Sequence, residues 1–80
     1  MNNQLVAARV ESIWSDYCDE RTVENREVAF SDNGNDSFDQ VEFVMDLEEE
    51  FRIRISDTEE ELLGKMTIDD LICFVTQKLL

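Results

Sequence analysis

The side chains that could do chemistry in this 80-residue sequence are carboxylates, two thiols and a few hydroxyls. It contains no histidine, so Ser–His and Cys–His nucleophile pairs are excluded. No glycine-rich phosphate loop occurs. Paired acids could hydrolyse a substrate only in a concave site, for which so small a chain offers little room. The thiols, Cys18 and Cys73, lie far apart and match neither a CxxC motif nor a zinc spacing. They are expected to stay thiols rather than to bridge, which fits a reducing compartment. One hydroxyl stands out by its neighbours. Ser37 sits within Asp36-Ser37-Phe38-Asp39, where Asp36 is a good N-cap and Asp39 falls at capping-box spacing. A serine there lies in the first turn of a helix with its hydroxyl clear of the core. Acidic neighbours at that end suit the helix dipole.

The element that must position this serine runs from Asp36 to Phe51. At about 100° per residue, Phe43, Val44, Leu47 and Phe51 fall on one face, the expected core face. Phe38, Val41 and Met45 form a second sector. Glu42 and Glu49 lie beside that sector, with Asp39 and Asp46 a little further round, and Glu48 borders it on the other side. Next to Ser37 the pattern therefore predicts a small apolar patch rimmed by carboxylates. A plainer alternative is a helix between two layers of core with a solvated acidic back, since Met and aromatic residues at helical spacing are usually core.

The run Asp36-Ser37-Phe38-Asp39, then Val41-Glu42-Phe43-Val44 and Leu47-Glu48-Glu49-Glu50-Phe51, resembles the signature of the acyl carrier proteins. In that family an Asp-Ser-Leu-Asp/Glu turn opens the second helix. The resemblance implies that Ser37 accepts a 4′-phosphopantetheine arm from coenzyme A. The arm's thiol would then carry acyl groups as thioesters, in fatty-acid, lipid or polyketide-type biosynthesis. It also implies that Asp36, Phe38, Asp39, Glu42, Met45, Glu48 and Glu49 form a docking surface for basic patches on partners. Those partners are a phosphopantetheinyl transferase and acyl-transferring or synthase enzymes. The chain would be a substrate of enzymes and not a catalyst. Placed on Ser37, the phosphodiester would lie near backbone N–H groups and the positive end of the helix dipole. A partly open bundle core could shelter a fatty acyl chain at ~0.8 kcal/mol per buried CH₂.

The sequence departs from the family pattern at several positions. Phe38 replaces the common Leu after the serine. Asp32 to Asn35 lack the usual Asp-Leu-Gly-Ala run. Ser56 stands where a Pro is common. Arg52 and Arg54 are basic where housekeeping carriers are often acidic. These changes point to a specialised carrier serving a dedicated pathway. A peptidyl or aminoacyl carrier is a further option within the class, which the dense acid of the second helix disfavours. Outside the class, the alternative is an unmodified acidic interaction module.

The remainder of the chain fits one small domain over residues 1–80. With 20 acidic and 7 basic residues, the formal net charge is −13. A nucleic-acid binder needs the opposite sign, and attraction to anionic lipid is equally disfavoured. Partners with basic patches would be reached quickly by electrostatic steering. No basic leader with an apolar run opens the chain, and no segment approaches the ~20 apolar residues of a membrane span. A cytoplasmic monomer is the expectation.

A first helix is predicted from about Asn3 to Tyr17 or Cys18, with Leu5, Val6, Val10, Ile13, Trp14 and Tyr17 at helical spacing. A long polar loop follows from Asp19 to Asp36, pinned by Val23, Val28, Ala29 and Phe30. Asn33-Gly34 is turn chemistry. An EF-hand counted from Asp32 fails, because it places Gly34, Ser37 and Phe43 at positions three, six and twelve. After Phe51, Arg52-Ile53-Arg54-Ile55 reads as an extended loop tucking Ile53 or Ile55 inward. Ser56 with Glu59 opens a short helix carrying Leu62 and Leu63 and stopped by Gly64. Thr67 with Asp70 opens the last helix, with Ile68, Leu71, Ile72, Val75 and Leu79 as its stripe and Lys78 near its end. The fold class is thus all-α, a small four-helix bundle of three longer helices, one short third helix and a long first loop, similar to the acyl carrier fold.

Overall fold

The computed structural model describes residues 3–18 and 27–80. Among them are four α-helices and no strand: α1 (Asn3–Ser15), α2 (Ser37–Phe51), α3 (Asp57–Leu63) and α4 (Ile68–Lys78), with a 3₁₀ turn at Phe30–Asn33. The all-α four-helix expectation holds. Helix α1 packs on both α4 and α2, and α3 packs on α2. The sequence places Val23 in the loop, outside the described residues.

Helices α2, α3 and α4 each begin with a complete capping box, Asp36–Asp39, Ser56–Glu59 and Thr67–Asp70. In each, two backbone donors of the first turn are satisfied by side chains three residues apart. Helix α1 ends two to three residues earlier than expected. Tyr17 and Cys18 lie in a closing turn, where both of their N–H groups donate to Trp14 O at 3.0 Å.

The core is apolar throughout. Val6, Val10 and Trp14 of α1 meet Phe43, Val44, Leu47 and Phe51 of α2, Leu63 of α3, and Ile68, Leu71 and Val75 of α4. The loop residue Phe30 joins them with no exposed surface. It stacks on Phe43 at 4.4 Å between ring centroids and meets Trp14 edge-on at 5.5 Å. Three expected core residues are exposed instead: Leu5, Leu62 and Leu79. Leu5 and Leu62 lie off the buried stripes of their helices, and Leu79 is the C-cap just beyond the last turn of α4.

Two backbone hydrogen bonds strap the first loop to the α3–α4 connection. Phe30 N–H donates to Met66 O and Ser31 N–H to Gly64 O, both at 2.9 Å. Gly34 takes a left-handed φ of 79°, as Asn-Gly chemistry predicts. Gly64 does stop α3, but with a right-handed φ of −59°. Its need for a missing side chain is spatial: a Cβ there would lie 2.7 Å from Gln40 Oε1. Gln40 is in turn held by donating to Glu60 O.

The end of α2 shows how the extended segment after it is fixed. Arg52 adopts φ 55°, ψ 47°, and its N–H donates to Glu48 O. The Glu48 carboxylate accepts from Ile55 N–H at 2.9 Å. Ile53 and Ile55 are both half-buried against the core, so both tuck inward. Across the same end of the bundle, Lys78 of α4 donates to Glu59 of α3 at 2.7 Å. That hydrogen bond from Lys78, with the one from Ser56 N–H, holds the Glu59 carboxyl below its ordinary value of 4.5.

This depression has a pH signature. A group with a lowered folded-state pKa contributes stability above its unfolded value and loses it as pH falls through the folded value. Glu59→Gln keeps an acceptor at the capping-box position but loses the charge. The variant is expected to melt below wild type at pH 7, with the gap closing as pH falls below 4.5. Thermal melts across pH check this, and a gap independent of pH would contradict it.

Candidate functional site

Asp36 is extended, with φ −95° and ψ −175°, so its side chain can fold back over the helix start. Its Oδ1 accepts from Asp39 N–H at 2.9 Å, and Asp39 Oδ2 accepts from Asp36 N–H at 3.0 Å. This closed pair makes Ser37 the first helical residue, and Ser37 is exposed. Its side chain caps nothing, because Asp36 does so. Asp36 already takes the Asp39 N–H. The N–H groups of Ser37 and Phe38 lack intrahelical partners, and with the dipole they favour an anionic group there. A phosphodiester on the Ser37 oxygen therefore fits the local chemistry.

Beside Ser37 lies the apolar sector, and it faces solvent. Phe38 is 79% exposed, Met45 60% and Val41 45%. The alternative of a helix buried on two sides is thus not what the chain adopts. Large side chains in this state, rimmed by polar groups, are a mark of an interaction surface.

The carboxylates around the patch divide by what they touch. Glu42 and Glu49 are exposed. Asp36 and Asp39 are engaged with each other's backbone. Glu48 is half-buried, and its carboxylate accepts from Ile55 N–H in the segment after α2. Asp46 accepts a hydrogen bond of 2.5 Å from the Tyr17 hydroxyl, tying α2 to the end of α1. Burial, then that hydrogen bond, pushes the Tyr17 phenol well above its usual value. On the same flank Arg9 of α1 pairs with Glu50 of α2. No sequence signal marks the Tyr17–Asp46 or Arg9–Glu50 partnerships, because each joins two helices whose relative rotation is not local information. Among the described residues no group of His, Cys, Asp and Glu is arranged to hold a metal ion, and no helix is long and apolar enough to cross a membrane.

A helix opening on a capped, exposed serine, beside an apolar patch with acidic neighbours, is the arrangement that the resemblance to a carrier domain implies. Residues 8–75 match the family described as "Phosphopantetheine attachment site". Over 80 residues the chain is 33% identical to the acyl carrier protein of Thermotoga maritima, covering 98% of this chain and 96% of that one. It is 37% identical over 82 residues to the acyl carrier protein of Thermosynechococcus vestitus, with the same coverages. A third similarity, 50% over 52 residues, is to an acyl carrier protein homolog of Mycoplasmopsis pulmonis, covering 65% of this chain and 68% of that one. The chain belongs to the acyl carrier protein family. Its cofactor is phosphopantetheine, and it is a carrier, not an enzyme.

Proposed function

We propose that Ser37 carries the 4′-phosphopantetheine arm and that the arm's thiol holds acyl intermediates as thioesters during fatty-acid, lipid or polyketide-type synthesis. The observation that carries this reading is the exposed Ser37 hydroxyl at the head of a capped helix, beside Phe38. The serine oxygen would attack the pantetheine-bearing phosphorus of coenzyme A and break its phosphoanhydride bond. The adenine nucleotide would leave with the bridging oxygen, the serine proton would pass to the transferase, and the pantetheine phosphate would remain on Ser37 as a diester. A transferase would supply the catalytic groups for that step, since this chain has no histidine to act as a base.

Docking is assigned to the surface that α2 leaves open. Phe38 and Met45 supply the apolar centre, and Glu42 and Glu49 supply charge at its edge. Asp36 and Asp39 serve the same surface from its head, and their first duty is to cap the helix. Glu48 contributes through the shape of the segment after α2. An apolar anchor ringed by charge is the usual anatomy of an energetic hot spot, and the negative rim selects basic partners. Cys18 and Cys73 both stand as thiols, which supports a reducing, cytoplasmic setting. Arg52 and Arg54, both exposed, support a carrier with its own set of partner enzymes.

The cargo chemistry has its own test. The arm-bearing protein, given an acyl-transferring enzyme and its acyl donor, should gain acyl mass that neutral hydroxylamine removes. Acyl mass that resists hydroxylamine would place the group on an amine or hydroxyl and contradict the thioester.

A further inference from the structure

Immediately before the cap of α2 lies a residue whose side chain the attachment chemistry does not use. Asn35 is half-buried. Its Nδ2 donates to Phe30 O at 3.0 Å and lies 3.5 Å from Cys18 Sγ. Phe30 is fully buried and bound through its own N–H to Met66 O. Cys18 is buried at the end of α1. One amide thus joins three parts of the bundle, namely the close of α1, the 3₁₀ turn and the head of α2. Nothing in helix capping requires it, because Asp36 and Asp39 complete that work.

We infer that Asn35 is a positioning residue for modification of Ser37. It docks the loop so that the serine is presented to the transferase in one orientation. The turn before it is closed on itself, with Asn33 Nδ2 and Asp32 N–H both donating to Ala29 O at 2.7 and 3.0 Å, and those bonds stay within the turn. Gly34 follows in a left-handed conformation, with nothing within 4 Å of where a Cβ would stand, and Asn35 comes next. The aromatic pin at Phe30 lies five residues upstream, and between it and the cap the Asn35 amide ties the chain back to Phe30. The inference rests on Ser37 being the attachment site.

Its consequence is a split between two kinetic constants. Losing the amide leaves the domain folded but lowers the fraction of molecules whose loop is docked. An apparent binding constant rises as the competent fraction falls. Once the serine is bound in the transferase, the chemical step is unaltered. One ordinary hydrogen bond lost weakens the docking equilibrium about fivefold, so the KM rises by at most about that factor.

The experiment measures phosphopantetheine transfer from coenzyme A to wild type, Asn35→Ala, Asn35→Leu and Val75→Ala. Asn35→Leu keeps the branched shape, though it is somewhat larger, while removing both donors, so a reading survives if the alanine variant fails to fold. Val75 is buried in α4, and its truncation lowers stability without removing any hydrogen bond of the loop. The expected result is a KM raised by up to about fivefold for the Asn35 variants with kcat retained, and wild-type constants for Val75→Ala. A KM for Asn35→Leu equal to that of wild type would overturn the inference. So would an equal rise in Val75→Ala, which would trace the effect to stability alone. Wild type that takes no arm would overturn the attachment reading itself, and this inference with it.

Discussion

Trp14→Ala is expected to leave a large share of the domain unfolded at room temperature. Trp14 is 1% exposed and lies edge-on to both Phe30 and Phe43, with ring centroids 5.5 and 6.0 Å away. Removing a buried aromatic of this size costs about 3–5 kcal/mol. A domain of this length has roughly 4–12 kcal/mol in total, and the self-repulsion of a −13 charge places it towards the lower end at low salt. The truncation therefore removes most of the stability. It also frees Phe30, the pin that holds the loop before Ser37, so any folded remainder should be a poorer substrate for modification. The Trp14 Nε1–H finds no acceptor among the described residues. Trp14→Phe removes that donor along with some volume, and should cost far less than the alanine change. Urea denaturation of the three proteins decides the order, and a Trp14→Ala midpoint close to wild type would contradict the aromatic cluster's role.

Reversing charge at Glu42 and Glu49 together should slow transfer to partner enzymes by about tenfold or more at low salt while leaving the melting temperature near wild type. Both side chains are exposed, so neither change disturbs the core. Rim charges act chiefly on association rates, and steering of this kind contributes on the order of 10- to 1000-fold. The effect should shrink as added salt shortens the screening length to about 10 Å at 0.1 M. Glu48→Lys should behave differently. Its carboxylate holds Ile55 N–H, so the change loosens the segment between α2 and α3 and lowers stability as well as rate. Stopped-flow kinetics at two ionic strengths check the pair, and unchanged rates in the Glu42/Glu49 variant would remove those residues from the docking surface.

The parts of this fold that are legible in the sequence are the ones written within four residues. All three capping boxes are i, i+3 patterns, and all three form. The core face of α2 follows from helical spacing, and Phe43, Val44, Leu47 and Phe51 are buried as that spacing predicts. The same spacing cannot say which faces acquire a neighbour. Leu5 and Leu62 read as core yet remain exposed, because the bundle leaves their flanks uncovered. The second apolar sector of α2 is the instructive case. Phe38, Val41 and Met45 alone fit a doubly buried helix, and it was Ser37 that marked them as a surface. Contacts between distant segments were not legible at all. Tyr17–Asp46, Asn35–Phe30 and the strap from Phe30 to Met66 depend on how the helices pack, and together they shape the ground on which Ser37 stands.

The measurement that tests the central claim most directly is the intact mass of wild type and Ser37→Ala after incubation with coenzyme A and a broad-specificity phosphopantetheinyl transferase, repeated with the transferase of the native host. Ser37 is exposed and Asp36 holds the cap, so the alanine variant should fold as wild type does. Wild type should gain the mass of one phosphopantetheine and Ser37→Ala none. The same gain on Ser37→Ala, or no gain on wild type with either transferase, would contradict the assignment.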